Sequence, residues 1–600
     1  MRTDELKGLM LVTEPSETKL DRAKHALKAR TMKDLKTFES THKNAIDWIV
    51  FGITGAIAVA FIAWGFFSTP SLKSASGSAQ SWVITNTGWF FVLSSSFFVL
   101  FVLWLAASKF GKIPLGADDE KPQFNTVSWI AMMFSAGMGI GLMFWGVAEP
   151  LTHFATPPPG TSEAESDAAL QTAMATTMFH WALHPWAIYA TVGIAIAYGT
   201  FRKGRSQLIS SVLQPLLGKK KTEGPIGRTI DILAIFATLF GSAASLGLGA
   251  LQIGSGLEFN GWIGNVGTPI LVAIIAILTC AFIASAVSGI EKGIQWLSNI
   301  NMVLALILAL FVFVVGPTLL ILNLLPTILG DYASQMTEMA SRTAASGNGA
   351  MADWLSSWTI FYWAWWVSWT PFVGMFIARV SRGRTIRQFV TGVLLVPSMV
   401  SLVWFAIFGG AAIDVQRRTG ELVGKGGVVS TDSALFQLLD QYPIAPVSSV
   451  LVMVLAGIFF VSGADAASMV MGTLSERGTI EPSKSTVIFW GALTGAVAAI
   501  MLIIGDGGAT ALSGLQGLTI VAALPFVLVM SALCLSLYLD LKTDPMILRG
   551  QIGIELVEEA VVQGVQTHGD EFGLVLESAD ADTDSDELDK DHVAAGTGRA

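Results

Sequence analysis

Five tryptophans stand within twelve residues, at Trp358, Trp363, Trp365, Trp366 and Trp369, in a run apolar enough to cross a bilayer. A buried indole needs packing partners for its ring and an acceptor for its N–H. Interfacial tryptophans gather at the ends of membrane helices, whereas these run through the middle of one. Trp358, Tyr362, Trp365, Trp369, Phe372 and Phe376 step by four and three and so share a helix face, with Trp366 beside it. Such a wall of ring faces suits an organic cation, above all a quaternary ammonium that has no hydrogen bond to donate. It also suits plain packing between helices.

A second aromatic group lies in FHWALHPWAIY, residues 179–189, where Trp181, Trp186 and Tyr189 stand near one face and Pro185 is expected to kink the helix. His180 and His184 have an i, i+4 spacing that resembles a metal pair. With no HExxH motif and no carboxylate close in sequence, they read instead as packing or hydrogen-bonding histidines. Between Phe134 and Gly141, three alternating glycines interrupt an apolar run. Each weakens a helix by up to about 1 kcal/mol relative to Ala. Freed backbone groups at that depth are tolerated where they line a cavity or bind something; Gly137 and Gly141 also fit close helix packing. Thr238 and Ser242, one turn apart, offer either two hydroxyl ligands for Na⁺ or two bonds back to their own helix. Asp465 is an ionisable residue inside a span and hence a functional candidate. Asp231 and Glu149, nearer span ends, are expected to be more easily solvated.

The elements that must position these groups are membrane helices. Of 600 residues, 52% are hydrophobic and only 14% charged, with mean hydropathy +0.60, against roughly 25% charged in soluble proteins. Twelve spans of about 20 residues are predicted, at about 45–68, 88–108, 127–152, 171–200, 229–255, 268–288, 299–324, 354–378, 388–411, 447–472, 486–504 and 516–540. With both termini inside, the inner loops hold 17 Lys or Arg and the outer loops five, the bias expected of cytoplasmic loops. No basic residue falls within a span. Cys280 and Cys534 lie in apolar runs and suggest neither a disulfide nor a metal site. No cleavable signal peptide is seen, because residues 1–44 are polar and the first apolar run is too long for one. The pattern of the arm at 20–38 fits an amphipathic helix; the tail from 541 carries 14 acidic and four basic residues, with an amphipathic stretch expected at 552–565 and a solvated end. No nucleotide-binding loop appears. An enzyme, a nucleic-acid partner and a cofactor are not expected.

FSAGMGIGLMFWGVAEP, TTMFHWALHPWAIYA, WTIFYWAWWVSWTPFVGMF and FFVSGADAASMVMGT together resemble the betaine/choline/carnitine transporter family over about residues 45–540, nearest its sodium-coupled glycine-betaine and ectoine branch. The resemblance implies an all-α polytopic membrane protein of twelve transmembrane helices. Two extra N-terminal helices would precede two inverted five-helix repeats of the neurotransmitter/sodium-symporter type, at about 127–324 and 354–540. It implies a homotrimer, with a short surface helix in 329–349 near its interface, lying among the lipids of a bacterial cytoplasmic membrane. Carried over by motif, Trp181, Trp186, Tyr189 and Trp366 would form a substrate cage, and Trp365, Trp369, Phe372 and Phe376 its pathway or gate. Backbone N–H groups around Ala136 and Met138 would meet the substrate carboxylate. One sodium would take Thr238, Ser242 and Phe372; a second would take the backbone of Ser135, Met138 and Phe459 and the hydroxyls at 462 and 463. Ser462 keeps its hydroxyl, but Gly463 replaces the other. Gly141, where choline-type members carry Asp, favours a zwitterion such as glycine betaine, ectoine or proline. The expected activity is sodium-driven uptake of such a solute by alternating access. Proton-coupled or sodium-independent exchange, or an osmotically gated channel, are the rival expectations.

Overall fold

In hydrocarbon a backbone N–H or C=O has no water to bond, so a spanning chain satisfies these groups within helices. The computed structural model describes residues 46–569 except 138, 289–290, 348 and 506–510. The predicted amphipathic stretch at 20–38 and the acidic run at 580–591 lie outside the described residues.

Counting helices of nine residues or more, the chain runs α1 Trp48–Phe67, α2 Thr69–Ala107, α3 Thr126–Gly137, α4 Ile140–Ala155, α5 Asp167–Trp181, α6 Leu183–Ala197, α7 Pro225–Phe259, α8 Thr268–Ser288 and α9 Glu291–Val315. It continues with α10 Thr318–Ser341, α11 Gly349–Ser357, α12 Thr359–Val380, α13 Ile386–Thr419, α14 Ala445–Ser475, α15 Lys484–Ile504, α16 Ala511–Lys542 and α17 Pro545–His568. Among the described residues, eight helices are long and apolar enough to cross a membrane, and nine if a pair bent by 110° counts as one span. Three of the twelve predicted spans fall outside that count. Two are broken, into α3 with α4 and α5 with α6. The third, α12, is rich in Trp and Tyr, whose polar tips lower its hydropathy.

The bend lies between Asn299–Val315 and Thr318–Ser341. Pro317 has no N–H to continue the helix, and Gly316 before it accepts the turn. The predicted span 299–324 therefore stops near 315. The short surface helix expected within 329–349 is instead the end of the 24-residue α10, followed by a single 3₁₀ turn at Ala344–Ser346.

α12 packs most extensively against α6, α7 against α14, and α4 against both α5 and α13. These contacts bring the four motifs into one core. The described residues from 541 to 569 belong to a second unit, whose main element is α17. α17 includes the predicted amphipathic stretch, with Ile552, Val561 and Val565 exposed.

Candidate functional site

The first wall of the site is made by a proline. Pro185 cannot bond the carbonyl four residues back, that of Trp181. The helix breaks at Ala182, with φ −105° and ψ −111°, and the Ser401 hydroxyl of α13 donates to the freed Trp181 carbonyl at 3.0 Å. Trp181 thus ends α5 while Trp186 and Tyr189 sit in the first turns of α6. Trp186 and Tyr189 meet edge to face at 5.4 Å between centroids.

The second wall is α12. Trp365 and Trp366 stack at 4.7 Å and 14°. Each indole N–H finds an acceptor on another helix: Trp366 donates to the His180 carbonyl at 3.0 Å, Trp365 to Ser245 Oγ at 3.2 Å and Trp369 to the Gly241 carbonyl at 2.9 Å. The walls converge, with Trp181 edge-on to Trp366 at 5.0 Å and to Trp365 at 6.2 Å, and Tyr189 at 6.2 Å from Trp366. All five rings are buried. They form one connected cluster, which Trp186 joins through Tyr189. Trp369 extends the row through Phe372, 5.8 Å away. Phe376, expected in the same row, is 37% exposed and stands apart from the cluster.

Against the rings lies the interrupted helix. α3 ends at Gly137, Gly139 is fully extended at φ −169° and ψ 179°, and α4 starts at Ile140. A Cβ at Gly141 would stand 2.6 Å from the Trp365 ring and 3.0 Å from that of Trp181. Only a glycine lets this backbone approach both indoles. Ser135 and Ala136 belong to α3, but their side chains, and all of Met138, lie outside the described residues.

Thr238 is fully buried on α7 and its hydroxyl donates to the Ala234 carbonyl at 2.8 Å; Ser242 is buried one turn on. The Ser462 hydroxyl likewise bonds its own helix, reaching Ile458 O at 2.9 Å and Phe459 O at 3.3 Å. A hydroxyl bound in this way still has lone pairs for a cation. Phe372 and Phe459 are half-buried. A Cβ at Gly463 would meet nothing within 4 Å. Asp465 is buried, and its Oδ2 has no hydrogen-bond partner.

One expectation from sequence is corrected here. Asp231 and Glu149 are not solvated: both are buried, Asp231 accepting from Ser210 at 3.0 and 2.7 Å. Glu149 is fully buried, and its carboxylate meets His180 Nδ1 at 2.7 Å, Trp181 Nε1 at 2.7 Å and the Tyr362 hydroxyl at 2.5 Å. The histidines of the i, i+4 pair also part company. His180 is a hydrogen-bonding histidine, on a carboxylate 31 residues away, and His184 a packing one, stacked on Trp363 at 4.9 Å and 18°. The cluster that forms is Glu149, His153 and His180, whose ligand atoms lie within 4.8 Å of one another. Its shortest separation, 2.7 Å between His180 and Glu149, is that of a hydrogen bond whose proton lies where an ion would sit. The signal for Glu149 was its i, i+4 partner His153 on α4, an apolar face with two titratable groups.

The model of the betaine/carnitine/choline family of transporters (BCCT) matches residues 49–546. The betaine/ectoine transporter LcoP of Corynebacterium glutamicum is 45% identical over 539 residues, covering 90% of this chain and 85% of the relative. The glycine betaine transporter OpuD of Bacillus subtilis is 47% identical over 503 residues, or 84% of this chain and 95% of the relative. Glycine betaine transporter 1 of Vibrio parahaemolyticus is 41% identical over 500 residues, or 82% and 94%.

Proposed function

Because the chain belongs to the betaine/carnitine/choline family of transporters, we propose that it imports a zwitterionic compatible solute, of the glycine betaine, ectoine or proline class, by sodium symport through alternating access. The observation that carries this reading is the meeting of Trp181, Trp186 and Tyr189 with Trp365 and Trp366 across the interrupted backbone at Gly141. Rings at this depth attract a quaternary nitrogen by about 0.5–2 kcal/mol per contact. Backbone N–H groups at the helix break would take the substrate carboxylate without a basic side chain. Thr238 and Ser242, with Phe372, would hold one sodium ion. Ser135, Met138, Phe459 and Ser462 would hold another beside Gly463. The names of LcoP and OpuD support the solute class.

The same proposal takes α3 with α4, α5 with α6, and α12 as the three further crossings, making twelve in inverted repeats at about 127–324 and 354–540. The termini would be cytoplasmic, and the protein would be a homotrimer in a bacterial cytoplasmic membrane. Uptake of labelled glycine betaine and ectoine into proteoliposomes tests the reading. Accumulation should require an inward sodium gradient and collapse when K⁺ replaces Na⁺. Undiminished accumulation under an imposed pH gradient alone would defeat sodium coupling. One observation favours that second reading, proton-coupled or sodium-independent exchange: position 463 offers a cation no side-chain oxygen.

A further inference from the structure

The ring cluster is expected to receive positive charge, yet the groups within it are neutral. One residue behind it, Glu149 of α4 is fully buried and meets four side chains. Its Oε2 accepts the Trp181 indole N–H at 2.7 Å and the Tyr362 hydroxyl at 2.5 Å. Its Oε1 faces His180 Nδ1 at 2.7 Å and His153 Nε2 at 3.6 Å. An indole N–H can only donate, and an ionised carboxylate only accepts. His180 Nε2 lies 3.0 Å from the Thr359 hydroxyl. One neutral imidazole satisfies both contacts, with Nδ1–H given to Glu149 and Nε2 accepting from Thr359. Among the described residues, the ion-pair partners of Glu149 are histidines alone, while Arg342 pairs with Glu338 at 3.2 Å.

We propose, building on the transport reading above, that Glu149 is the positioning residue of the substrate site and the origin of its preference for positive nitrogen. Its carboxylate clamps the Trp181 ring edge-on to Trp366 and places a fixed negative charge at the N–H edge of that ring, close to the plane whose face a trimethylammonium group would meet. Two physical effects act together. A hydrogen bond from the indole N–H to an anion pushes electron density into the ring and strengthens its negative face. In a dry, low-dielectric site the charge at the ring's edge is itself felt beside its face, with little screening. Through the adjacent His180 backbone, whose carbonyl accepts from Trp366 Nε1 at 3.0 Å, the same anchor reaches the second wall. The three donated hydrogen bonds offset the cost of burying the anion.

The test compares glycine betaine with its carbon isostere 3,3-dimethylbutanoate, which has the same shape and carboxylate but no positive charge. Both are titrated against the full-length protein in detergent, by tryptophan fluorescence, for wild type, Glu149→Gln and Glu149→Asp. Wild type should prefer betaine strongly. Glu149→Gln should lower betaine affinity at least tenfold and isostere affinity by twofold or less, whereas Glu149→Asp should retain most of the preference. Equal losses for both ligands would assign Glu149 to packing and overturn the proposal, as would an unchanged ratio. A wild-type protein that binds neither ligand would instead count against the transport reading itself. Should Glu149→Gln not fold, Trp181→Phe, which keeps a ring but deletes the N–H, decides the matter. Its betaine-to-isostere ratio should drop severalfold, and an undiminished ratio would overturn the proposal.

Discussion

Gly141 lies directly beneath Trp365: a Cβ placed on it would stand 2.6 Å from the ring, and 3.0 Å from that of Trp181. Real Cβ atoms do not approach so closely, so a side chain here must displace one indole or the α4 backbone. Overpacking of this kind costs about 1–3 kcal/mol. Gly141→Ala should therefore raise the half-saturation concentration for glycine betaine by roughly 5- to 100-fold while the protein still folds and inserts. Unchanged uptake kinetics would mean that this approach plays no part in binding. Gly141→Asp should disturb the rings at least as much, so a gain of choline uptake there would require Trp365 to move.

Trp366 joins the two walls, stacked on Trp365 and edge-on to Trp181 and Tyr189. Trp366→Phe keeps a ring face and loses only the N–H bond to the His180 carbonyl. Trp366→Ala loses the face as well, worth about 0.5–2 kcal/mol for each cation contact. Uptake titrations should show a much larger rise in half-saturation for Ala than for Phe. Equal rises would point to packing instead of cation recognition.

The position next to Ser462 offers an opposite kind of substitution. A Cβ on Gly463 meets nothing within 4 Å, so a serine fits without displacing a neighbour. If a sodium ion sits near Ser462, Gly463→Ser adds an oxygen to its shell. The sodium concentration for half-maximal uptake should then fall severalfold. No change, with wild-type maximal rate, would place position 463 away from any ion.

The residues that stood out in the sequence are those whose partners lie within a turn or two of the same helix. Trp365, Trp366 and Trp369 were legible because they share one helix, and the break near Gly139 because three glycines alternate. The break at Ala182 was foreshadowed by Pro185. For Glu149 the one local sign was His153, a turn away, because its hydrogen-bond partners lie 31, 32 and 213 residues off. A carboxylate near the end of an apolar run looks solvated until those helices are assembled around it. The 110° bend after Val315 was hidden for a related reason: the apolar run continues past Pro317, and hydropathy does not register direction.

The bond from Ser401 to the Trp181 carbonyl gives a test that ties fold to site. Pro185 leaves that carbonyl without its helical donor, and Ser401 Oγ takes the role at 3.0 Å. Ser401→Ala strands a buried acceptor, which costs about 1–3 kcal/mol. Thermal unfolding of the detergent-solubilised protein should shift down by several degrees, and betaine affinity should fall because Trp181 loses its anchor at the break. Pro185→Ala supplies an N–H to the same carbonyl, so the double variant should recover stability relative to Ser401→Ala. It should not recover uptake, because a continuous helix carries Trp181 away from Trp366. Recovery of both would mean that the break at Ala182 supports the fold without shaping the site, and strictly additive stability losses would mean that Ser401 and Pro185 do not act on one carbonyl.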